Sequence, residues 1–125
     1  MLSRFYALAD EKLHHFRGRK LDTAGDGLLA AFGGPARAVR CGMALVEGVH
    51  PLELRLRVGV HTGACEVLGE RYSGIAVRVA SAAELLVSST VKDLVVGSGL
   101  HFEDLGPRTL KWVPEQWRLF GVARA

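Results

Sequence analysis

The chain has 125 residues, 49% of them hydrophobic, with 16 Lys and Arg against 13 Asp and Glu for a formal net charge of +3. That length sets one domain, residues 1–125, and a chain of this size buries about two thirds of the surface its unfolded form exposes, enough for a core without staples. The small basic excess and the 7% aromatic content argue against the dense basic and aromatic patch of a nucleic-acid binder, and no apolar window of about 18 residues suggests a membrane span.

The N-terminal Met1-Leu2-Ser3-Arg4-Phe5-Tyr6 lacks a signal-peptide apolar run, so the expected compartment is the cytoplasm. Cys41 and Cys65 are the two cysteines. They form no CxxC pair and no metal-ligand spacing. Their apolar surroundings predict buried, reduced thiols.

In chain order, Phe5, Leu8, Ala9, Leu13 and Phe16 recur at helical spacing, with Ser3 as N-cap and Gly18 as the stop. Leu21–Thr23 and Leu28–Phe32 read as a hairpin around Ala24-Gly25-Asp26-Gly27. Pro35 suits a first helical turn. Ala36, Val39, Met43, Val46 and Val49 continue at helical spacing to Pro51. Leu54, Leu56, Val58 and Val60 alternate with Arg55, Arg57, Gly59 and His61, which predicts a strand with one buried face. Thr62-Gly63 is expected to end or bend that strand, with Cys65–Leu68 returning beside it. Residues 69–74 read as a loop and Ile75–Ala83 as a short helix. Leu85-Leu86-Val87 reads as a strand, Ser88, Ser89 or Thr90 as the cap of a helix running to Val96, and Leu100–Leu105 and Trp117–Val122 as two further strands. Interleaved strands, hairpins and helices predict an α+β sandwich: a mixed or antiparallel sheet with helices packed on it.

The hairpin carries the chemistry. An Asp-Gly pair is by itself a good turn former, but here it sits in a longer pattern. Gly18-Arg19-Lys20-Leu21-Asp22-Thr23-Ala24-Gly25-Asp26-Gly27 is followed in order by Gly34-Pro35-Ala36-Arg37-Ala38-Val39-Arg40-Cys41 and Arg57-Val58-Gly59-Val60-His61-Thr62-Gly63. Then come Gly74-Ile75-Ala76-Val77, Leu86-Val87-Ser88-Ser89-Thr90-Val91, Leu110-Lys111-Trp112-Val113-Pro114 and Trp117-Arg118-Leu119. This series resembles the catalytic domain of class III adenylate/guanylate cyclases, bacterial type, across nearly the whole chain.

The resemblance implies a ferredoxin-like βαββαβ-type sandwich, N-terminally truncated so that the first strand is lacking. It implies conversion of ATP, rather than GTP, to 3′,5′-cyclic AMP and pyrophosphate, with Mg or Mn as cofactor. In that chemistry two ions held by two aspartates activate the ribose hydroxyl and neutralise the phosphates. The site of such an enzyme lies between two domains, which implies a homodimer or a heterodimer with another cyclase domain.

Carried over residue by residue, Asp26 takes the second metal-aspartate position. Asp22 falls where the family reads the purine, or is a solvated strand residue. Arg71 falls near the second base-reading position and reads as a solvated loop residue. Arg78 takes the position of the transition-state asparagine, and Ala82 that of the transition-state arginine. Lys111 suits the triphosphate, or is a solvated loop lysine. The segment from Ala80 to Leu85 is shorter than the family pattern. These departures imply lost or strongly impaired activity, with a non-catalytic dimerisation or regulatory module as the alternative. His61 is expected to make a structural hydrogen bond rather than act as a base.

Overall fold

The computed structural model describes residues 2–24, 27–65, 70–80, 84–88, 91–92, 100–109 and 116–124. The order is α1 (Leu2–His15), β1 (Arg19–Ala24), β2 (Gly27–Phe32), α2 (Pro35–Gly48), a 3₁₀ turn (His50–Leu52), β3 (Arg55–Cys65), β4 (Glu70–Ala80), β5 (Glu84–Ser88), β6 (Leu100–Thr109) and β7 (Gln116–Arg124). The strands form one sheet in the order β1-β2-β4-β3-β5-β7-β6. Only the β3–β5 pair is parallel among these neighbours. The expected α+β architecture, helices on a mixed sheet, is the one observed.

Helix α1 buries Phe5, Ala9 and Leu13, one stripe at four-residue spacing. Its end is set one residue before the expected stop. Arg17, not Gly18, takes the left-handed conformation, at φ 59°. The Arg17 N–H donates to His14 O at 3.2 Å and the Gly18 N–H to Leu13 O at 2.7 Å, which is the Schellman closure. Gly18 is needed for a different reason: a Cβ there would stand 2.6 Å from the Phe32 ring.

Helix α2 starts on Pro35 after an extended Gly34, as the missing proline N–H allows. Its stripe of Ala38, Val39, Cys41, Gly42 and Leu45 is buried against the sheet. A Cβ on Gly42 would lie 2.9 Å from Leu85 Cδ1 and 3.1 Å from Val58 Cγ1. The helix backbone therefore rides directly on β3 and β5, and only glycine permits that approach. Leu28, Ala30, Phe32, Leu56, Val58, Val60, Ile75, Val77, Leu85 and Val87 complete the core under the helices.

Two expectations about the middle of the chain are corrected. Strand β3 does not end at Thr62-Gly63 but runs to Cys65, so Cys65 closes β3 instead of opening the return strand expected over Cys65–Leu68, and the strand that pairs with it is β4 from Glu70. Residues 70–80, expected as a loop followed by the first part of a helix, form the long strand β4. The physical reason is pairing on both sides. β4 bonds β3 from Glu70↔Cys65 to Ala80↔Arg55, and bonds β2 from Ser73↔Phe32 to Arg78↔Gly27. Ile75 and Val77 are both fully buried, a period of two that a helix could not satisfy. A helix here would also leave the facing backbone groups of β2 and β3 unbonded. β4 and β5 flank β3 on opposite sides, so the link from Ala80 to Glu84 crosses about two strand spacings, roughly 10 Å.

Beyond β5, Val91 and Lys92 are helical; the remainder of the helix expected to run to Val96 lies outside the described residues. Strands β6 and β7 pair antiparallel, with an irregularity between Asp104 and Gly106. There Gly106 adopts φ 77° and donates its N–H to Asp104 Oδ1 at 2.9 Å.

Substituting Gly42→Val is expected to lower stability by about 1–3 kcal/mol through overpacking against Val58 and Leu85. Arg17→Gly is expected to raise it by about 1 kcal/mol through relief of the left-handed backbone. Urea unfolding followed by circular dichroism measures both.

Candidate functional site

The β1–β2 hairpin is held from below and from one side. The Tyr6 hydroxyl, on α1, donates to Gly27 O at 2.9 Å, fixing the start of β2 at the turn end of the hairpin. Lys20 Nζ meets Asp10 Oδ1 at 3.1 Å. Both partners are well exposed, so this pair contributes at most about 1 kcal/mol. Asp10 thus serves as an ion-pair partner on α1. On β1 the register shifts between Lys20 and Asp22, and Asp22 then faces Leu29. Asp22 is exposed, and its Oδ1 accepts the Thr23 N–H at 2.9 Å.

At the turn end of the hairpin, the sheet brings together residues far apart in sequence. Ala24 pairs with Gly27, Gly27 with Arg78, Arg78 with Arg57, and Arg57 with Glu84. This single row crosses five strands. Arg57 lies between Leu56 and Val58, both fully buried beneath the helices, and is itself exposed. By the alternation of a strand, the row belongs to the sheet face away from α1 and α2.

Asp26 lies outside the described residues, but its chain neighbour Gly27 is the register partner of Arg78. Arg78 is therefore on a strand beside the hairpin, not on a helix as its expected setting had it. Lys111 and Ala82 also lie outside the described residues, and Arg71 is placed on β4 opposite Ala64. The sequence reading brought Asp22, Asp26 and Arg78 to one site but passed over Arg57. The signal was present, because Arg57 alternates with buried valines on the clearest strand. Its partner across the sheet became visible only once residues 70–80 were placed in β4.

Two other reactive groups have structural employment. His61 Nδ1 lies 3.2 Å from Ser88 Oγ. Ser88 is fully buried, and its Oγ accepts the Val91 N–H at 3.4 Å. The imidazole and hydroxyl thus tie the middle of β3 to the end of β5 and the start of the helical turn at Val91, the structural role expected for His61. Cys41 is buried and unpaired in a disulfide. Burial pushes its thiol pKa up to about 12, against a smaller lowering by the Lys12 ammonium. It is therefore a neutral thiol at physiological pH and a poor nucleophile. The side chain of Cys65 lies outside the described residues.

The donor set bears on the metal. Among the described residues no three His, Cys, Asp or Glu side chains gather to hold an ion. Mg²⁺ is commonly held by one or two carboxylates together with substrate phosphates.

The fold has a known counterpart. The chain superposes on the adenylyl cyclase CyaB of P. aeruginosa with a TM-score of 0.65, over 99% of this chain and 81% of that one, at 14% sequence identity. That likeness is one of fold. No protein-family model matches the sequence, and no curated protein matches it either. Among the described residues, no helix is long and apolar enough to cross a membrane.

Ser88→Ala is expected to cost about 1–3 kcal/mol, because it leaves the buried Val91 N–H without its acceptor; chemical denaturation checks this. The raised thiol pKa has a definite sign. Cys41 contributes stability fully below the ordinary thiol value of 9.0 and loses it as pH rises towards about 12. At pH 8 only about one Cys41 in 10⁴ is thiolate. In a Cys65→Ser background, Ellman's reagent should react with Cys41 orders of magnitude more slowly in native protein than in guanidinium chloride.

Proposed function

We propose that the chain is a class III nucleotide-cyclase homology domain that binds a nucleoside triphosphate, ATP in preference to GTP, at the turn end of the β1–β2 hairpin. The observation that carries this reading is the cyclase-like fold across 99% of the chain; the sequence resemblance adds the metal-aspartate position of Asp26. Asp26 is the carboxylate offered to a Mg²⁺ or Mn²⁺ ion bound with the phosphates. Lys111 is the cation offered to the triphosphate, and Asp22 lies on the base-reading strand. The bound ion would neutralise phosphate charge.

The reaction of such a domain is attack of the ribose 3′-hydroxyl oxygen on the α-phosphorus. The new P–O bond closes the cyclic ester, the bond to the β-phosphate breaks, pyrophosphate leaves, and the hydroxyl proton passes to solvent. Arg78 occupies the position that would meet charge developing on the α-phosphate. Ala82 offers no donor at the companion position. Loss of one preorganised donor of this kind costs about 10²–10³ in rate, so turnover is expected to be absent or strongly impaired. The second reading follows from the same alanine: a domain that binds nucleotide and pairs with a second copy or another cyclase domain, without turning over.

Purified protein given ATP with Mn²⁺ is expected to yield no cyclic AMP above a blank lacking protein, while equilibrium dialysis detects bound ATP that Asp26→Ala weakens. Robust cyclic AMP production abolished by Asp26→Ala would instead establish a working enzyme. Sedimentation is expected to show self-association. A strict monomer at high concentration would remove the pairing part of the proposal.

A further inference from the structure

We infer that Arg17, Arg37 and Arg40 form a docking surface for an acidic protein segment, which would lie across the open backbone of Gly33-Gly34. This surface is at the end of β2 away from the Gly27 turn, so it is separate from the nucleotide reading and does not rest on it. Residues 12–21 and 27–46 contain no Asp or Glu and carry Lys12, Arg17, Arg19, Lys20, Arg37 and Arg40. The fold brings the two runs together. Arg19 pairs with Ala31, and a Cβ on Gly18 would stand 2.6 Å from the Phe32 ring. Arg17 precedes that contact in one run and Gly33 follows it in the other. A Cβ on Gly33 would in turn lie 3.8 Å from Arg37 Nη1, so the Arg37 guanidinium reaches back over this corner. Arg40 comes one helical turn after Arg37, and residues three apart on a helix are surface neighbours. Lys20 is paired with Asp10, and Arg19 has an interaction of its own. The side chains of Arg17, Arg37 and Arg40 are exposed and, among the described residues, unpaired.

The fold alone gives these residues little reason to be there. Arg17 holds left-handed backbone at φ 59°, a conformation that glycine adopts without strain. Arg37 puts positive charge in the first turn of α2, which has no acidic residue and where the helix dipole is already positive. Gly34 caps α2 with no side-chain hydrogen bond, although serine, threonine, asparagine or aspartate would supply one. Neither Gly33 nor Gly34 has the positive φ that calls for glycine, and a Cβ on Gly34 would meet nothing within 4 Å. The corner thus combines bare, open backbone with guanidinium groups that lack carboxylates. An acidic peptide complements both: its carboxylates pair with the planar forks through two parallel hydrogen bonds, and its backbone can approach the glycines closely. A membrane surface fits less well, because binding there draws on large apolar side chains for insertion, and the aromatic of this corner, Phe16, is half-buried with the His15 ring edge-on to it at 4.8 Å. A single-stranded nucleic acid fits less well for want of aromatic platforms on which bases stack.

The test uses the whole chain and a fluorescein-labelled polyglutamate peptide, followed by anisotropy at low salt. The unaltered protein is expected to bind the peptide, and added salt to weaken the complex. Arg37→Gln and Arg40→Gln are each expected to weaken binding by roughly three- to tenfold. Arg17→Gly is expected to weaken it similarly while raising the melting temperature of the free protein, a split that a purely structural arginine would not produce. Gly34→Val introduces a side chain into open space at an extended position before proline, where valine is tolerated; it is expected to weaken binding with the melting temperature nearly unchanged. Arg4→Gln, an exposed arginine near the start of α1, is the control expected to change neither. Equal binding by the unaltered protein and all these variants, or no binding of polyglutamate at all, would overturn the proposal. So would capture of phosphatidylserine vesicles or single-stranded DNA through the same arginines with polyglutamate left unbound.

Discussion

Everything at the candidate site depends on the double-sided pairing of β4. This strand bonds β2 on one edge and β3 on the other, and buries Ile75 and Val77 beneath the helices. Period-two burial fixes its register, because a slip of one residue would turn both side chains out of the core and Ala76 and Arg78 into it. The same register puts Arg78 between Gly27 and Arg57. The chemistry of the row is therefore a consequence of apolar packing on the other face of the sheet.

The helix layer holds that register in place. Gly42 lets α2 lie directly on Val58 and Leu85, and Gly18 lets the chain turn past Phe32. Tyr6 then links α1 to the turn end of the hairpin through Gly27 O. These contacts share a logic: small residues where two backbones or rings must approach, and one half-buried hydroxyl where a carbonyl needs a donor. Together they fix the start of β2 and the approach of the helices to the sheet. His61 with Ser88 performs the corresponding bracing at the β3–β5 pair.

Much of this was legible in the sequence. The stripe Phe5, Ala9, Leu13 gave α1, the alternation from Leu54 to Val60 gave β3, and the apolar runs on either side of Asp26 gave the hairpin. The order of motifs also pointed to the α+β fold that the superposition on CyaB shares. What failed was the stretch from Glu70 to Ala80. Its Ile75, Val77, Val79 and Ala80 fit a short helix about as well as a strand by spacing alone, and Gly74 suggested a loop before it. The deciding fact is non-local: β2 and β3 both present unpaired edges to it, and no local pattern records that. The left-handed Arg17 was hidden for a related reason, since Gly18 is the residue that composition nominates while the backbone turn falls one position earlier. Arg57 was overlooked because its significance comes only from the residue opposite it.

The proposed magnesium-bearing nucleotide would sit at the turn end of the β1–β2 hairpin. Amide chemical shifts of ¹⁵N-labelled protein, followed while ATP and Mg²⁺ are added, test it most directly. The account expects the amides of Asp22 to Gly27, Arg57 and Arg78 to move together along a common saturation curve, with those of α2 nearly still. Shifts confined to the helix layer or to the β6–β7 pair, with the hairpin unmoved, would contradict it.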